Sequence, residues 1–135
     1  EYHIGENGSD PILLKAGKIT FYSKDGYALT EDMTFSSQDE KGDIVFSGSA
    51  GRGMVNTDGS NMSLWGGVVF KDEKRGMEIR AENLELDRDE DTIVADGRVM
   101  VESEEGRFSG YDFKGDMKTG VYIFSEIEEG ELNFE

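Results

Sequence analysis

Residues that commonly perform catalysis are scarce in this sequence. The chain contains no cysteine, and its one histidine, His3, lies in a polar stretch near the start. It also contains no nucleophile elbow, phosphate-binding loop or dinucleotide-binding fingerprint. The sequence therefore predicts a protein that is not an enzyme and that uses no cofactor.

One acidic cluster has the spacing of a calcium-binding loop. Asp87, Asp89 and Asp91 match the D-x-D-x-D pattern, in which alternate side chains provide oxygen ligands. Thr92, however, stands where an EF-hand loop requires glycine, and Arg98 stands where it requires a bidentate glutamate. A calcium-dependent carbohydrate-binding site would rest on the three aspartates alone. The simpler interpretation is an acidic hairpin turn, so no metal site is predicted.

Large apolar side chains are more informative, because they recur through nearly the whole chain. In several segments they occupy both parities, as where Val68 and Phe70 alternate with Trp65 and Val69. Two interpretations follow. Either a flanking element covers the second face of a sheet, or the apolar interior is larger than the protein itself needs and accommodates an acyl chain.

A hairpin design recurs four times in the sequence. Each copy has a short apolar start, a polar turn rich in Asp, Gly, Asn or Lys, and an apolar triplet. Such repetition is typical of stacked units that cannot bury their apolar faces alone. A glycine follows at the same distance in three of the copies, and we expect these glycines at close approaches or bends of the backbone. The copies start at Phe35, Met54, Leu84 and Phe113, and the glycines are Gly48, Gly67 and Gly97.

Alternation of apolar and polar residues predicts about ten short antiparallel strands and no helix. The 18 glycines and the single proline suit tight turns between uninterrupted strands. The expected fold is all-β, in one domain over residues 18–135, after a loose lead-in over residues 1–17. The first two predicted strands begin near Lys18 and Tyr27, and the others cover residues 43–47, 53–57, 62–70, 77–87, 93–102, 107–114, 121–127 and 132–134.

Two predicted strands change phase part-way along. Ile79 and Leu84 are five residues apart, so a regular strand would place them on opposite faces. The same holds for Phe108 and Phe113. A β-bulge or sharp bend would return both members of each pair to one interior. We therefore predict bends near residues 82–83 and 110–111.

The formal net charge of −16 excludes some classes of partner. Such a negative field repels polyphosphates, so neither nucleic acid nor a bare anionic membrane surface is expected to bind. No apolar run approaches the ~20 residues that a membrane span needs. Any membrane anchor is therefore expected in a segment before Glu1.

A resemblance to a known family lies in residues 68–116, which read VVFKDEKRGMEIRAENLELDRDEDTIVADGRVMVESEEGRFSGYDFKGD. This segment resembles the OstA-like repeat of the lipopolysaccharide-transport (LptC–LptA) family. In that repeat a G-x-V strand precedes an I-x-A-x-x-L-x-x-D strand, a turn, another G-x-V strand and G-x-x-F. The resemblance covers residues 18–135. The matching residues are Gly67, Val69, Ile79, Ala81, Leu84, Asp87, Gly97, Val99, Gly110 and Phe113.

The resemblance implies an open, twisted β-jellyroll in the periplasm, whose interior shields the acyl chains of lipopolysaccharide or a related acyl lipid. The size and single domain are most similar to the periplasmic domain of the inner-membrane-anchored component, and the soluble bridge protein is the alternative. The implied partners are the inner-membrane ABC transporter at the amino-terminal edge and a bridge jellyroll at the carboxy-terminal edge. Because the chain is so acidic, a phosphorylated head group would stay outside, or the cargo is another lipid.

Inward parity and the resemblance together give the candidate residues for lipid contact. They are Ile19, Phe21, Leu29, Phe35, Phe46, Met54, Val69, Ile79, Leu84, Ile93, Val99, Val101, Phe108 and Phe113.

A second set of candidates lies at the carboxy-terminal edge, where glutamates oppose self-pairing and favour a more basic partner strand. We expect a monomer in isolation. The alternative to lipid transfer is a β-repeat structural or adhesion module that transports nothing. The edge residues are Val121, Ile123, Ile127, Leu132 and Phe134.

Overall fold

The structure is a computed structural model that describes residues 2–4 and 10–132. Within these residues, nine antiparallel strands form one sheet, and each strand pairs with the next one along the chain. No helix occurs in this part of the chain, and the prediction of an all-β fold is confirmed. The strands are β1 (Tyr2–Ile4), β2 (Ile12–Tyr22), β3 (Tyr27–Gln38), β4 (Ile44–Asn56), β5 (Asn61–Asp72), β6 (Met77–Asp87), β7 (Thr92–Ser103), β8 (Gly106–Asp116) and β9 (Val121–Leu132).

The strands are fewer and longer than predicted, because two pairs of expected short strands are continuous. The predicted strands over residues 43–47 and 53–57 are joined in the single strand β4 (Ile44–Asn56), and β9 runs through to Leu132. Glycine does not interrupt β4. A Cβ on Gly51 would lie 2.6 Å from the Gly66 carbonyl oxygen, so the neighbouring strand approaches this position closely. In β9, a Cβ on Gly130 would lie 2.9 Å from the ring of Phe108.

Strand structure also begins earlier than residue 18, where it was expected. β2 begins at Ile12, and the side chains of Ile12 and Leu14 are fully buried. β1 pairs with this part of β2. The polar residues that suggested a loose lead-in therefore flank an apolar segment that the sheet uses in its interior.

The long strands bend, and the bends lie side by side across the sheet. At each bend the regular pairing is interrupted, as between Ala81 and Glu85 of β6 or between Ala95 and Arg98 of β7. Several bend residues have left-handed backbone, a conformation that glycine adopts freely and aspartate tolerates. We call this line of residues the bend row. It comprises Gly17, Asp32, Gly51, Gly66, Gly67, Glu82, Asn83, Asp96, Gly97, Tyr111 and Asp112.

The bend row changes the parity of the buried residues in several strands, whereas β5 and β7, whose bends each contain two unpaired residues, keep it. Ile79 and Leu84 are both buried although they are five residues apart, and Phe113 is buried on the same interior as Phe108. The predicted bend near residues 82–83 is confirmed. The second bend falls at Tyr111 and Asp112, where Asp112 has a φ of 55°, one residue beyond its predicted position.

Bending lets one sheet bury its own apolar face. Side chains from both sides of the bend row, such as Phe70 and Leu84, are at most 1% exposed and belong to one apolar cluster. Since the described residues include no helix to cover that face, the two halves of the sheet must pack on each other as two layers. Layer 1 comprises residues 12–16, 33–38, 44–50, 68–72, 77–81, 98–103, 106–110 and 127–132, and layer 2 comprises residues 18–22, 27–31, 52–56, 61–65, 84–87, 92–95, 113–116 and 121–124.

The three repeat glycines occupy the kinds of position that were predicted. A Cβ on Gly48 would collide with the Val69 carbonyl oxygen and with the Phe35 ring. Gly67 and Gly97 lie in the bend row with φ angles of 86° and 78°. The first glycine therefore allows a close approach, and the other two allow bends.

Replacing Gly97 with alanine tests the conformational requirement of the bend row. Nothing lies within 4 Å of an added Cβ at this position, so the substitution reports backbone strain rather than a clash. A left-handed L-residue costs roughly 1–2 kcal/mol. We expect Gly97→Ala to lower the free energy of unfolding by about that amount in a urea titration.

Gly17→Ala is the matched control. Gly17 also lies in the bend row, but its φ is not positive and an added Cβ would make ordinary contacts, the nearest at 3.6 Å. This variant should be as stable as the parent or slightly more stable, since alanine lowers the entropy of the unfolded chain. Equal losses in the two variants would contradict the proposed strain at Gly97.

Candidate functional site

The interior between the two layers is the candidate site. Aromatic rings fill its centre: the ring centroids of Phe46 and Phe70 are 5.5 Å apart, and Phe35 lies within 6.3 Å of both. Phe113 forms a second group with Tyr122 and Phe124, at 5.7 Å and 5.1 Å. Eight predicted lipid-contact residues lie in this interior: Phe35, Phe46, Ile79, Leu84, Ile93, Val99, Val101 and Phe113.

Three further predicted residues face the interior near its margins. Opposed residues of antiparallel strands point to the same face. Ile19 is opposite buried Thr30, Phe21 is opposite buried Ala28, and Phe108 is opposite Val101. Phe21 is nevertheless 43% exposed, because β2 has no neighbour beyond it at this level among the described residues. The interior is therefore open toward this edge.

Leu29, Met54 and Val69 were predicted to line the interior, and the structure places them on the outer face. Leu29 lies between the buried residues Ala28 and Thr30, and it is opposite Met54. Val69 lies between two buried neighbours and is opposite exposed Arg80.

Leu29 was placed on the wrong face because the bend at Asp32 was not recognised. Leu29 was assigned to the face of Met33 and Phe35, whereas the bend moves it to the other one. The parity of Val68 and Phe70, two residues apart, could have identified the inward face of β5. The buried apolar residues that the predicted lipid-contact set did not include are Ile12, Leu14, Met33, Ala50, Val55, Met62, Leu64, Val68, Phe70, Leu86 and Ala95.

The carboxy-terminal edge strand β9 is apolar, acidic and exposed. Val121, Ile123, Ile127 and Leu132 are all more than half exposed, and Phe134 lies outside the described residues. Ile127 is opposite Gly110, which is buried, so it continues the inner face outward to the edge. The predicted edge residues that the structure describes therefore lie on a strand whose outer side pairs with no other described strand.

One glutamate of this edge is held by neighbouring side chains. Glu128 accepts hydrogen bonds from the Tyr111 hydroxyl at 2.7 Å and from Arg98 Nε at 3.2 Å. The hydrogen bond from Tyr111, followed by the charge of Arg98, lowers the pKa of Glu128. The negative charge at this point of the edge is thus fixed in place.

On the side opposite the bend row, polar contacts join the strand ends of the two layers. In one contact, Tyr122 of layer 2 donates a hydrogen bond to Asp72 of layer 1 at 2.7 Å. Arg75 Nη1 also lies 3.0 Å from Asp72, whose side chain is only 4% exposed. Burial, followed by this hydrogen bond and the charge of Asp72, raises the pKa of Tyr122 strongly.

A second contact of the same kind is formed by Arg88, in the turn after β6. Its Nη2 donates to the Asp10 carbonyl oxygen at 2.7 Å and its Nη1 donates to the Gly59 carbonyl oxygen at 3.4 Å. Its guanidinium lies 5.8 Å from the ring centroid of Phe46. Burial lowers the pKa of Arg88. We call the line of contacts made by Asp72, Arg75, Arg88 and Tyr122 the seam; a cavity of about 440 Å³ opens there to solvent.

The acidic cluster forms the hairpin turn between β6 and β7. The Asp87 carboxylate accepts hydrogen bonds from the backbone N–H groups of Asp89 and Glu90, at 3.0 Å and 3.1 Å. Such a bond stabilises the turn itself. In the part of the chain that the structure describes, no three acidic or histidine side chains are grouped so that they could hold a metal ion.

The chain matches the family model for lipopolysaccharide assembly, LptC-related, over residues 2–126. The chain belongs to this family. The resemblance seen in the sequence is therefore confirmed. Members of this family are periplasmic transport scaffolds rather than enzymes.

A solved structure has the same fold. The crystal structure of LptH from Pseudomonas aeruginosa, the LptA-homologous periplasmic component of the conserved lipopolysaccharide transport device, superposes with a TM-score of 0.74. The match has 12% sequence identity and covers 93% of this chain and 96% of LptH. No curated protein sequence matches the chain significantly. Residues 2–4 and 10–132 contain no helix that is long and apolar enough to cross a membrane.

Replacing Tyr122 with phenylalanine tests the seam contact. The ring is kept and the hydrogen bond to a charged group is lost, which should cost about 1.5–3 kcal/mol at neutral pH. Because folding raises the pKa of Tyr122, its contribution to stability is complete below the pKa of an unfolded tyrosine, about 10, and is lost as the pH rises above it.

The difference in the free energy of unfolding between the parent and Tyr122→Phe should therefore be constant from about pH 7 to 9 and should shrink above about pH 10. Urea titrations across this pH range measure this difference. The titration of the other tyrosines contributes equally to both proteins and therefore does not affect the difference. A difference that stays constant above pH 10 would show that the phenol proton is not held by the fold.

Proposed function

We propose that this protein is a periplasmic lipid-transfer scaffold of lipopolysaccharide assembly. It shields acyl chains between its two layers and passes them on at its edge strand. The observation that carries this proposal is the apolar inner face, which extends from one edge of the sheet to the other and which no described residue closes at either edge.

The burial of this inner face changes along the sheet. Residues in the central strands, such as Phe70 and Ile79, are 0% exposed. Toward the amino-terminal edge, Phe21 is 43% exposed, and toward the carboxy-terminal edge Ile127 and Leu132 are more than half exposed. An apolar face that continues into exposed edges gives less stability there than a fully buried core would, and exposed apolar surface of this kind is typical of an interaction site. A path for an acyl chain requires them at both ends.

The edges also support transfer to a partner. Among residues 2–4 and 10–132, β1 pairs with β2 only between Ile12 and Leu14, and no strand pairs with the segment of β2 from Lys18 onward on that side or with the outer side of β9. Free strand edges bind other strands through their backbone groups. Glu126, Glu129 and Glu131 of β9 repel a second copy of the same strand and attract a more basic one. The protein should therefore be a monomer in isolation that pairs with another jellyroll.

The family match favours the anchored component, whereas LptH, the similar solved structure, is a homologue of LptA. At 12% identity the structural match establishes the fold alone. The anchored role, with an anchor encoded before Glu1, is the one we propose, and sequencing upstream of Glu1 tests it: an apolar span favours the anchored component and a cleavable signal favours the soluble bridge.

A structural module that transports nothing is the second candidate. The close packing of Phe35, Phe46 and Phe70 favours it, because the aromatic rings fill the centre of the interior.

Photo-crosslinking distinguishes the two candidates. A photoreactive phenylalanine at Phe108, on the inner face of β8, should crosslink to lipopolysaccharide in cells that produce it. The same residue at Tyr111, an exposed aromatic of the outer face on the same strand, is the matched control and should capture none. Equal capture at both positions, or capture only outside, would contradict transport through the interior.

Crosslinking from the edge tests the transfer step. A photoreactive residue at Leu132, which is 55% exposed at the end of β9, should capture the first strand of a co-expressed bridge jellyroll. The same residue at Thr57, in the turn after β4, is the control. Capture of that strand from Thr57 alone, or from probes placed within residues 58–76 and not from Leu132, would refute pairing at the edge.

A further inference from the structure

The two layers are joined differently on their two long sides. At the bend row the backbone of each long strand passes from one layer to the other, so the layers cannot separate there without unfolding. At the seam no covalent link joins them among the described residues. The contacts there connect residues that are 50 positions apart, Asp72 and Tyr122, and 78 positions apart, Asp10 and Arg88.

The seam contacts are polar, and this affects how easily they open. A hydrogen bond or ion pair that opens toward solvent is replaced by bonds to water, so opening it costs much less than the gross strength of the bond. An apolar contact that opens instead exposes its whole surface to water. Arg75 and Arg88 and the carboxylate of Asp72 are charged groups that water solvates well. The seam is thus the long side on which separation of the layers costs least.

Apolar residues lie directly behind these polar groups. Phe46, which is 4% exposed, lies beneath Arg88, and Val45 and Met117 line the same cavity. If Arg88 moves away, Phe46 and the rings behind it become accessible from the side. The charged side chains around this opening, which include Lys74 and Asp91, would keep a polar head group outside while an acyl chain enters.

We propose that the seam opens sideways to admit acyl chains, and that Arg88 and the Tyr122–Asp72 hydrogen bond hold it closed when the protein is empty. This inference rests on the proposed function, and it adds the route of access and the residues that control it. The closed state then needs no permanent cavity between the layers, because the aromatic rings pack on one another until an acyl chain separates them.

A reversible crosslink across the seam tests the route. The chain has no cysteine, so Lys74→Cys and Met117→Cys place the only two thiols on opposite layers of the cavity. A short, reducible bifunctional thiol reagent then joins them. The measurement is the rate of fluorescence increase when cis-parinaric acid, a fluorescent fatty acid, enters the purified protein. The crosslink should abolish uptake, and reduction in the same sample should restore it.

The control crosslink joins two turns of layer 2. Glu90→Cys and Lys118→Cys lie in the turns after β6 and β8, which are hydrogen-bonded to each other through Asp91 and Met117. This crosslink should leave uptake unchanged, because it does not connect the layers.

Weakening the seam should have the opposite effect. Tyr122→Phe and Arg88→Gln should each raise the rate of uptake, by about tenfold or more if opening is rate-limiting and a hydrogen bond to a charged group is lost. Arg107→Gln removes an exposed ion pair with Glu102, away from the seam, and should not change the rate.

The outcomes separate the inference from the proposed function. Uptake that continues at the same rate with the seam crosslinked would overturn the seam as the route, while the lipid-binding function would stand. Absence of uptake in the parent and in all variants would overturn the proposed function and this inference with it.

Discussion

The fold depends on the bend row. A single antiparallel sheet has two faces, and without helices one apolar face of a flat sheet would remain in water. Here the strands bend at the same level, so one face turns toward itself, and the residues inserted at the bends keep both halves of the central strands apolar on the inside. Glycines supply most of the left-handed backbone that this requires, and Asp32 and Asp112 supply it where a side chain fits.

The same geometry gives the interior its three kinds of boundary. The bend row is a covalent boundary, the seam is a polar one, and the two sheet edges remain open. The two layers are joined covalently on one side of this apolar interior and only by side-chain contacts on the other. Such an interior suits a cargo that is apolar along its length and polar at one end. The negative charge is consistent with this arrangement, because the acidic groups of β9 and of the turns lie outside the interior.

Much of the fold follows from local sequence signals. The alternation around Ile93 and Val99 and the five-residue spacing of Ile79 and Leu84 were sufficient to predict strands, inward faces and a bend. The bend at Asp32 was missed because it has no glycine, and this error placed Leu29 on the wrong face. The seam could not be predicted, since Arg88 and Asp10 are 78 positions apart in the sequence. Pairings over such distances depend on the complete sheet and leave no periodic signal.

The most direct test of the account is native mass spectrometry of the protein purified without detergent from lipopolysaccharide-producing bacteria. The account predicts a population whose mass exceeds that of the 15.0 kDa chain by one acylated lipid, which is released on activation and recovered by organic extraction. A single population at the mass of the bare chain, with no acyl lipid in the extract, would contradict the claim that the interior carries lipid.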